Sequence, residues 1–130
     1  MAYTTTGINT SATIVAPAGA AIESVIGKAI KIDASGNAVV ASTAGEKVVG
    51  IAVLTNSENP VKGEDITIQI KEIGKVVAGA EVARGDELAA AADGTLVTAT
   101  SGQFVVATAL TAATAAGQII DAQITKYYKP

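Results

Sequence analysis

The residues able to carry out chemistry are few, and the two most versatile types are missing. The chain contains no His and no Cys. Ser–His and Cys–His nucleophilic pairs therefore cannot be assembled, and a zinc site would have to be made of carboxylates alone, which is rare. Two adjacent acidic pairs remain, Glu64-Asp65 and Asp86-Glu87, beside Gly63 and Gly85. General acid–base catalysis needs carboxylates placed against one reacting group. Carboxylates in glycine turns more often cap backbone N–H groups or face water, and that is the expectation for both pairs. Asp33-Ala34-Ser35-Gly36-Asn37 faintly resembles a calcium loop. Its second and third oxygen ligands are misplaced and the closing Glu is absent, so a plain turn is expected. Gly27-Lys28 opens no phosphate loop, because Ile22 stands where Gly is needed and Ala29 where Ser or Thr is needed. The expectation is a protein that is not an enzyme and uses no cofactor and no metal.

Binding residues are more informative. The basic residues Lys28, Lys31, Lys47, Lys62, Lys71, Lys75, Arg84, Lys126 and Lys129 form no run, and the net charge is −3. Phosphate backbones call for clustered cations, so no nucleic-acid partner is expected. The aromatic residues are Tyr3, Phe104, Tyr127 and Tyr128. Phe104 follows a turn and leads into Val105-Val106, which reads as core. The tyrosines sit near the two ends of the sequence. Tyr is enriched at interfaces because it joins a large apolar area to a polar tip. Tyr3, Thr4, Thr5, Thr6, Ile8, Tyr127 and Tyr128 are the candidate interface residues, ordinary terminal packing being the other reading.

The elements that position these residues follow from composition and pattern. Hydrophobic residues make up 49% of the 130 residues but aromatics only 3%, so the apolar content is mainly Ala, Val and Ile. Branched residues of this kind favour strands. Charged residues are 16%, below the usual quarter, which fits a surface partly covered by a partner. The first residues carry neither a basic nor an apolar signal region, and no apolar run reaches the roughly 20 residues that span a bilayer. Synthesis in a cytoplasm and no membrane partner are the expectations.

From residue 27 the sequence repeats. Gly27 to Gly36 aligns with Gly85 to Gly94, then Val39 with Val97 and Ala41 with Ala99. After a one-residue slip, Gly45, Val48, Val49 and Ala52 align with Gly102, Val105, Val106 and Ala109, and later Gly63, Ile66, Gln69 and Ile70 with Gly117, Ile120, Gln123 and Ile124. Ile66, Ile68 and Ile70 alternate with polar residues, as in a strand with one buried face. The phase breaks after Lys71, and a bulge near Glu72–Gly74 is expected to reset it. Asp93-Gly94 signals a hairpin, and weaker glycine turns recur at Ser35-Gly36-Asn37, Ala44-Gly45-Glu46 and Ser101-Gly102-Gln103. Asp86 to Ala92 and Ala107 to Ala116 have helix propensity. Their repeat partners are β-branched, so strands followed by loops are expected, with one short helical turn after Leu110. The reading is an all-β, single-domain β-sandwich or barrel with a tandem pseudo-repeat. Residues 1–12 form an extended N-terminal arm, residues 13–130 the β domain, and 27–70 and 85–124 the pseudo-repeats.

Several segments in this order resemble a tailed-phage capsid decoration (cement) protein family, long catalogued as a domain of unknown function. Ala12 to Gly19 is similar to its opening strand, and Val48 to Val53 to its "GVAL" segment. Gly63 to Ile68 resembles the strand after it, and Ala83 to Leu88 its "GD-hydrophobic" step. Val105 to Leu110 with Ala115-Ala116-Gly117 resembles the closing "GxAL…AG" signature, Ala107 replacing the usual Gly. The resemblance spans roughly residues 12–125. It implies a β-sandwich or barrel without catalysis, a homo-oligomer (dimer or trimer), and the major capsid protein as partner. The location it implies is the virion, on the capsid exterior. An adhesion module on the virion surface, binding host cell or glycan, is the alternative.

Overall fold

In the computed structural model, residues 11–53 and 57–130 are described. They form ten strands: β1 (Thr13–Pro17), β2 (Ala29–Ile32), β3 (Ala38–Val40), β4 (Gly50–Ala52), β5 (Asp65–Gln69), β6 (Glu72–Val77), β7 (Glu87–Ala90), β8 (Leu96–Thr98), β9 (Phe104–Ala109) and β10 (Ile119–Tyr128). They assemble into two five-stranded sheets, in the orders β1-β5-β4-β2-β3 and β6-β10-β9-β7-β8. Every pairing between these strands is antiparallel. No helix occurs among the described residues, so the expected helical turn after Leu110 is not there. The Ala-rich segment after Leu110 is irregular. Its N–H groups are taken by neighbouring strands and side chains, as where Ala113 and Val82 exchange two backbone bonds of 3.0 Å.

The second sheet repeats the first strand for strand, with β6 to β10 replacing β1 to β5. The register repeats too. Thr13 pairs with Gln69 and Pro17 with Asp65, as Ile73 pairs with Gln123 and Val77 with Ile119. Among the described residues, the glycines with positive φ are Gly27, Gly36, Gly45, Gly63, Gly85, Gly94, Gly102 and Gly117, which are four pairs at repeat-equivalent positions. A left-handed turn costs a residue with a Cβ about 1–2 kcal/mol, so these positions hold Gly in both halves. The repeat is longer than the sequence indicated, since β1 and β6 also belong to it.

Each sheet rolls until its outer strands meet. Ala18, just past β1, bridges Ala38 of β3, and Ala78, just past β6, bridges Leu96 of β8. Gly19 and Gly79 donate to the Ala38 and Leu96 carbonyls at 3.0 and 2.8 Å. Closure of this kind removes exposed sheet edges. Ala16, Ala18, Ile30, Ala38, Ala52, Ile66 and Ile68 fill the first sheet. The second core holds Val76, Ala78, Leu88, Leu96, Ile120 and Ala122, and it takes Ala29, Ala41, Val48 and Ile51 from the first half. The two sheets therefore share one core cluster.

The expected bulge at Glu72–Gly74 is instead the hand-over between sheets. β5 ends at Gln69 and β6 begins at Glu72, which adopts φ 71°. The Gln69 amide donates to the carbonyls of Lys71 (3.0 Å) and Ile73 (2.8 Å) and clamps the link. Lys126, the repeat equivalent of Glu72, also has positive φ, 51°. Ile66 and Ile120 are both buried, and so is Ile124, but Ile70 at this link is only half-buried.

Ile66→Ala is expected to cost about 2–5 kcal/mol, as for a filled core site. Ile70→Ala should cost less than half as much. Denaturant unfolding of both variants measures this, and a larger loss at Ile70 would contradict the assignment of the core.

Candidate interaction surface

Polar side chains in this fold serve mainly to hold turns. Asp33 Oδ1 accepts the N–H groups of Ser35 and Asn37, both at 2.9 Å, so the calcium-like segment is a closed Asx turn. Glu64 Oε1 accepts from Val61 N–H at 2.9 Å. Asp86 Oδ2 accepts from Ala83 N–H at 2.9 Å and from the Thr98 hydroxyl at 3.2 Å. Glu46 Oε2 accepts the N–H groups of Ser42 and Thr43, and Gln103 Oε1 does the same for Thr100 in the second half. Lys31 pairs with Glu46 at 2.7 Å. Burial raises the Glu46 pKa, but the bonds from Lys31, Thr43 and Ser42 outweigh it and hold the carboxyl below its ordinary value. Among the described residues no group of three or more His, Cys, Asp or Glu could hold a metal ion, and no helix is long and apolar enough to cross a membrane.

The candidate interface residues divide. Tyr3, Thr4, Thr5, Thr6 and Ile8 lie outside the described residues. Tyr127 and Tyr128 close β10, which runs past the end of its repeat partner β5. The register of β10 against β9 shifts between Ile124 and Tyr127, a bulge centred on Thr125-Lys126. Beyond it, Tyr127 pairs with Val105 and Tyr128 with Phe104. The Tyr128 ring meets the buried Phe104 ring edge-on, with centroids 5.1 Å apart and planes at 73°. Tyr128 nonetheless leaves 60% of its surface exposed, against 39% for Tyr127.

Two residues that the sequence did not mark as interface complete this cluster, and one of them, Glu87, bonds side chains rather than a turn N–H. The Tyr127 hydroxyl donates to Glu87 Oε2 on β7, and Lys129 Nζ pairs with Glu87 Oε1 at 2.6 Å. The bonds from Lys129 and Tyr127 hold Glu87 below its ordinary pKa, and the bond to Glu87 pushes the Tyr127 phenol up. Glu87 lies some 40 positions from its partners in the chain, so sequence spacing carried no signal for the contact. Lys126, on the bulge, donates to the Val49 carbonyl at 3.1 Å. Burial, then the nearby Lys47, depress its pKa.

A second exposed face is apolar. β6 and β10 place Ile73, Lys75 and Val77 opposite Gln123, Asp121 and Ile119. Ile73 and Ile119 are 60% and 62% exposed, and Lys75 and Asp121 form an ion pair of 2.5 Å between them. Two shallow grooves of about 350 and 320 Å³ meet at Ile26, one lined by Val77 and Ile119 and the other by Val53 and Ile73. Neither groove has an aromatic ring in its lining.

This geometry defines a class: an all-β protein of two like-folded, rolled antiparallel sheets. No family model matches the chain, and no curated relative matches it. Among solved structures, the fold is similar to that of the head fiber gp8.5 N base of bacteriophage phi29. The two chains are 21% identical with a TM-score of 0.66, and the match covers 87% of this chain and 92% of that one.

The Glu87 contacts carry a signed pH dependence. A carboxylate with lowered folded pKa adds stability above its unfolded value, here about 4.5, and loses it as pH falls through the folded value. A phenol with raised folded pKa adds stability below about 10.0 and loses it as pH rises through the folded value. Glu87→Gln is expected to flatten both limbs and to speed amide exchange at Lys129. The melting temperature at neutral pH should fall by roughly a few degrees at most, because the cluster is exposed. An unchanged pH profile would show that the cluster does not anchor the C-terminal strand.

Proposed function

We propose that the chain is a structural decoration protein of a tailed-phage head, which binds the outer surface and stabilises the lattice of the major capsid protein without catalysing a reaction. The observation that carries this reading is the correspondence of nearly the whole fold with a phage head fiber base. The order of motifs that resembles the decoration family points the same way. The polar groups add support, since Glu64, Asp86 and Glu87 of the two acidic pairs are engaged by turn N–H groups, a lysine or a tyrosine. An adhesion role would be better served by aromatic stacking platforms, and the grooves at Ile26 have aliphatic and charged walls.

The physical logic is one of many modest contacts. A decoration protein meets the same site at every lattice position, and each copy that bridges neighbouring subunits gains from high effective concentration. A ligand that binds only the assembled shell stabilises it by mass action. A homo-oligomer, dimer or trimer, would place several copies of the Tyr127–Tyr128 and Ile73–Ile119 faces over one lattice point. Tyr is a frequent anchor of such contacts.

Purified protein added to expanded heads that lack it is expected to sediment with them and raise their melting temperature. Tyr128→Ala should weaken binding by about tenfold, corresponding to about 1.4 kcal/mol, while the free protein stays folded. Heads that neither retain the protein at saturation nor shift in melting would overturn the proposal.

A further inference from the structure

The two halves share a fold but differ in chemistry on one face. On the outer side of β6 and β10, Ile73, Lys75 and Val77 stand across from Gln123, Asp121 and Ile119. The equivalent side of β1 and β5 sets Thr13, Val15 and Pro17 across from Gln69, Thr67 and Asp65. Thr13 and Asp65 thus hold the places of Ile73 and Ile119, and Val15 with Thr67 the places of the Lys75–Asp121 ion pair. The fold itself accepts polar residues at the two isoleucine positions. Ile73 and Ile119 are nonetheless 60% and 62% exposed in the second half. Apolar surface that the fold does not require and water does not favour marks a contact face.

The placement of charge identifies what covers it. Lys75 and Asp121 meet at 2.5 Å in the middle of the face, with opposite signs on neighbouring strands. A partner carrying one sign of charge would attract one of them and repel the other. A second copy, turned about a two-fold axis that runs parallel to the strands between β6 and β10, lays β6 over the partner's β10. Lys75 then faces the partner's Asp121, and Val77 faces the partner's Ile119. Charges alternate in sign around the axis, with apolar contacts beside them. A two-fold across the strands would instead set Lys75 on Lys75, which like-charge repulsion disfavours.

The flanks of the face obey the same operation. Leu110 is half-buried and donates its N–H to the Asp121 carbonyl at 2.8 Å, so it flanks β10 beside Asp121. On the other flank, Val77 donates to the Gly27 carbonyl at 3.0 Å, which holds Ile26-Gly27 along β6 on the side away from β10. The groove of about 320 Å³ lies there, with Ile26, Val53, Ile73 and Lys75 in its wall. The two-fold along the strands carries Leu110 of one copy over this groove of the other.

We propose that the outer face of β6 and β10 joins two copies of this chain in a two-fold dimer, Lys75 pairing with the partner's Asp121 and Val77 packing on the partner's Ile119. The proposal gives the homo-oligomer a number, a face and a register, and leaves the Tyr127–Tyr128 cluster outside the contact. It does not rest on the capsid reading, because the free protein tests it.

The experiment is sedimentation velocity of the full chain at micromolar concentrations, where a dimer is expected. Lys75→Asp leaves two acids at the centre of the face, and Asp121→Lys leaves two bases. Each alone should weaken self-association roughly a hundredfold, since like charges then meet across the axis. An equimolar mixture of the two variants should recover a dimer with one copy of each, because opposite charges face again. Ile119→Asp places there the residue type that the first half carries at Asp65. It should keep a cooperative melting transition and lose the dimer. A native chain that sediments as a monomer or a trimer would overturn the proposal. So would single variants that self-associate as tightly as the native chain, or a mixture that stays monomeric.

Discussion

A core of small and branched side chains fills only a narrow space, and the rest of this structure follows from that limit. Phe104 is the one Phe of the chain, and no Trp is present. The largest fully buried side chains are Ile and Leu. Sheets around such thin fillings must be short and tightly rolled. Strands of three to six residues, β10 excepted, reverse at left-handed glycine turns and bring β1 to β3 and β6 to β8. Neither half has enough apolar volume to build a thick core of its own, so the first half lends Ala29, Ala41, Val48 and Ile51 to the second. The same closure leaves little open sheet edge, so contact with partners falls to faces and protruding side chains.

The periodic part of this arrangement was legible in the sequence, because glycine turns are chemically marked. The alignment of Gly27, Gly36, Gly45 and Gly63 with Gly85, Gly94, Gly102 and Gly117 matched the positive-φ positions pair by pair. The equivalence of β1 and β6 escaped notice although Ala18-Gly19 and Ala78-Gly79 stand at matching places, since the residues before them share little chemistry. Glu72 looked like a bulge because a break in alternation also marks the point where a chain leaves one sheet for another. Nothing local separates these two cases; the Gln69 clamp does. Ile70 read as core by alternation, yet it lies one residue past β5, where the roll opens.

The interaction surface was legible only in part. Tyr127 and Tyr128 could be picked out by residue type, and they do lie in the exposed last residues of β10. Their anchoring could not, because Glu87 and Phe104 reach them through tertiary pairing rather than sequence spacing. The Ile73–Ile119 face was likewise hidden. Apolar residues on the outer side of a strand look like core until the register of β6 against β10 is known.

The proposed role as an external component of a phage head requires the chain to be present on assembled heads. Its most direct test is quantitative: the amount of this chain relative to the major capsid protein in heads purified from infected cells, before and after mild protease treatment. The expected result is a fixed ratio set by the lattice, and a chain accessible to protease on intact heads. Absence from purified heads, or presence only inside them, would contradict it.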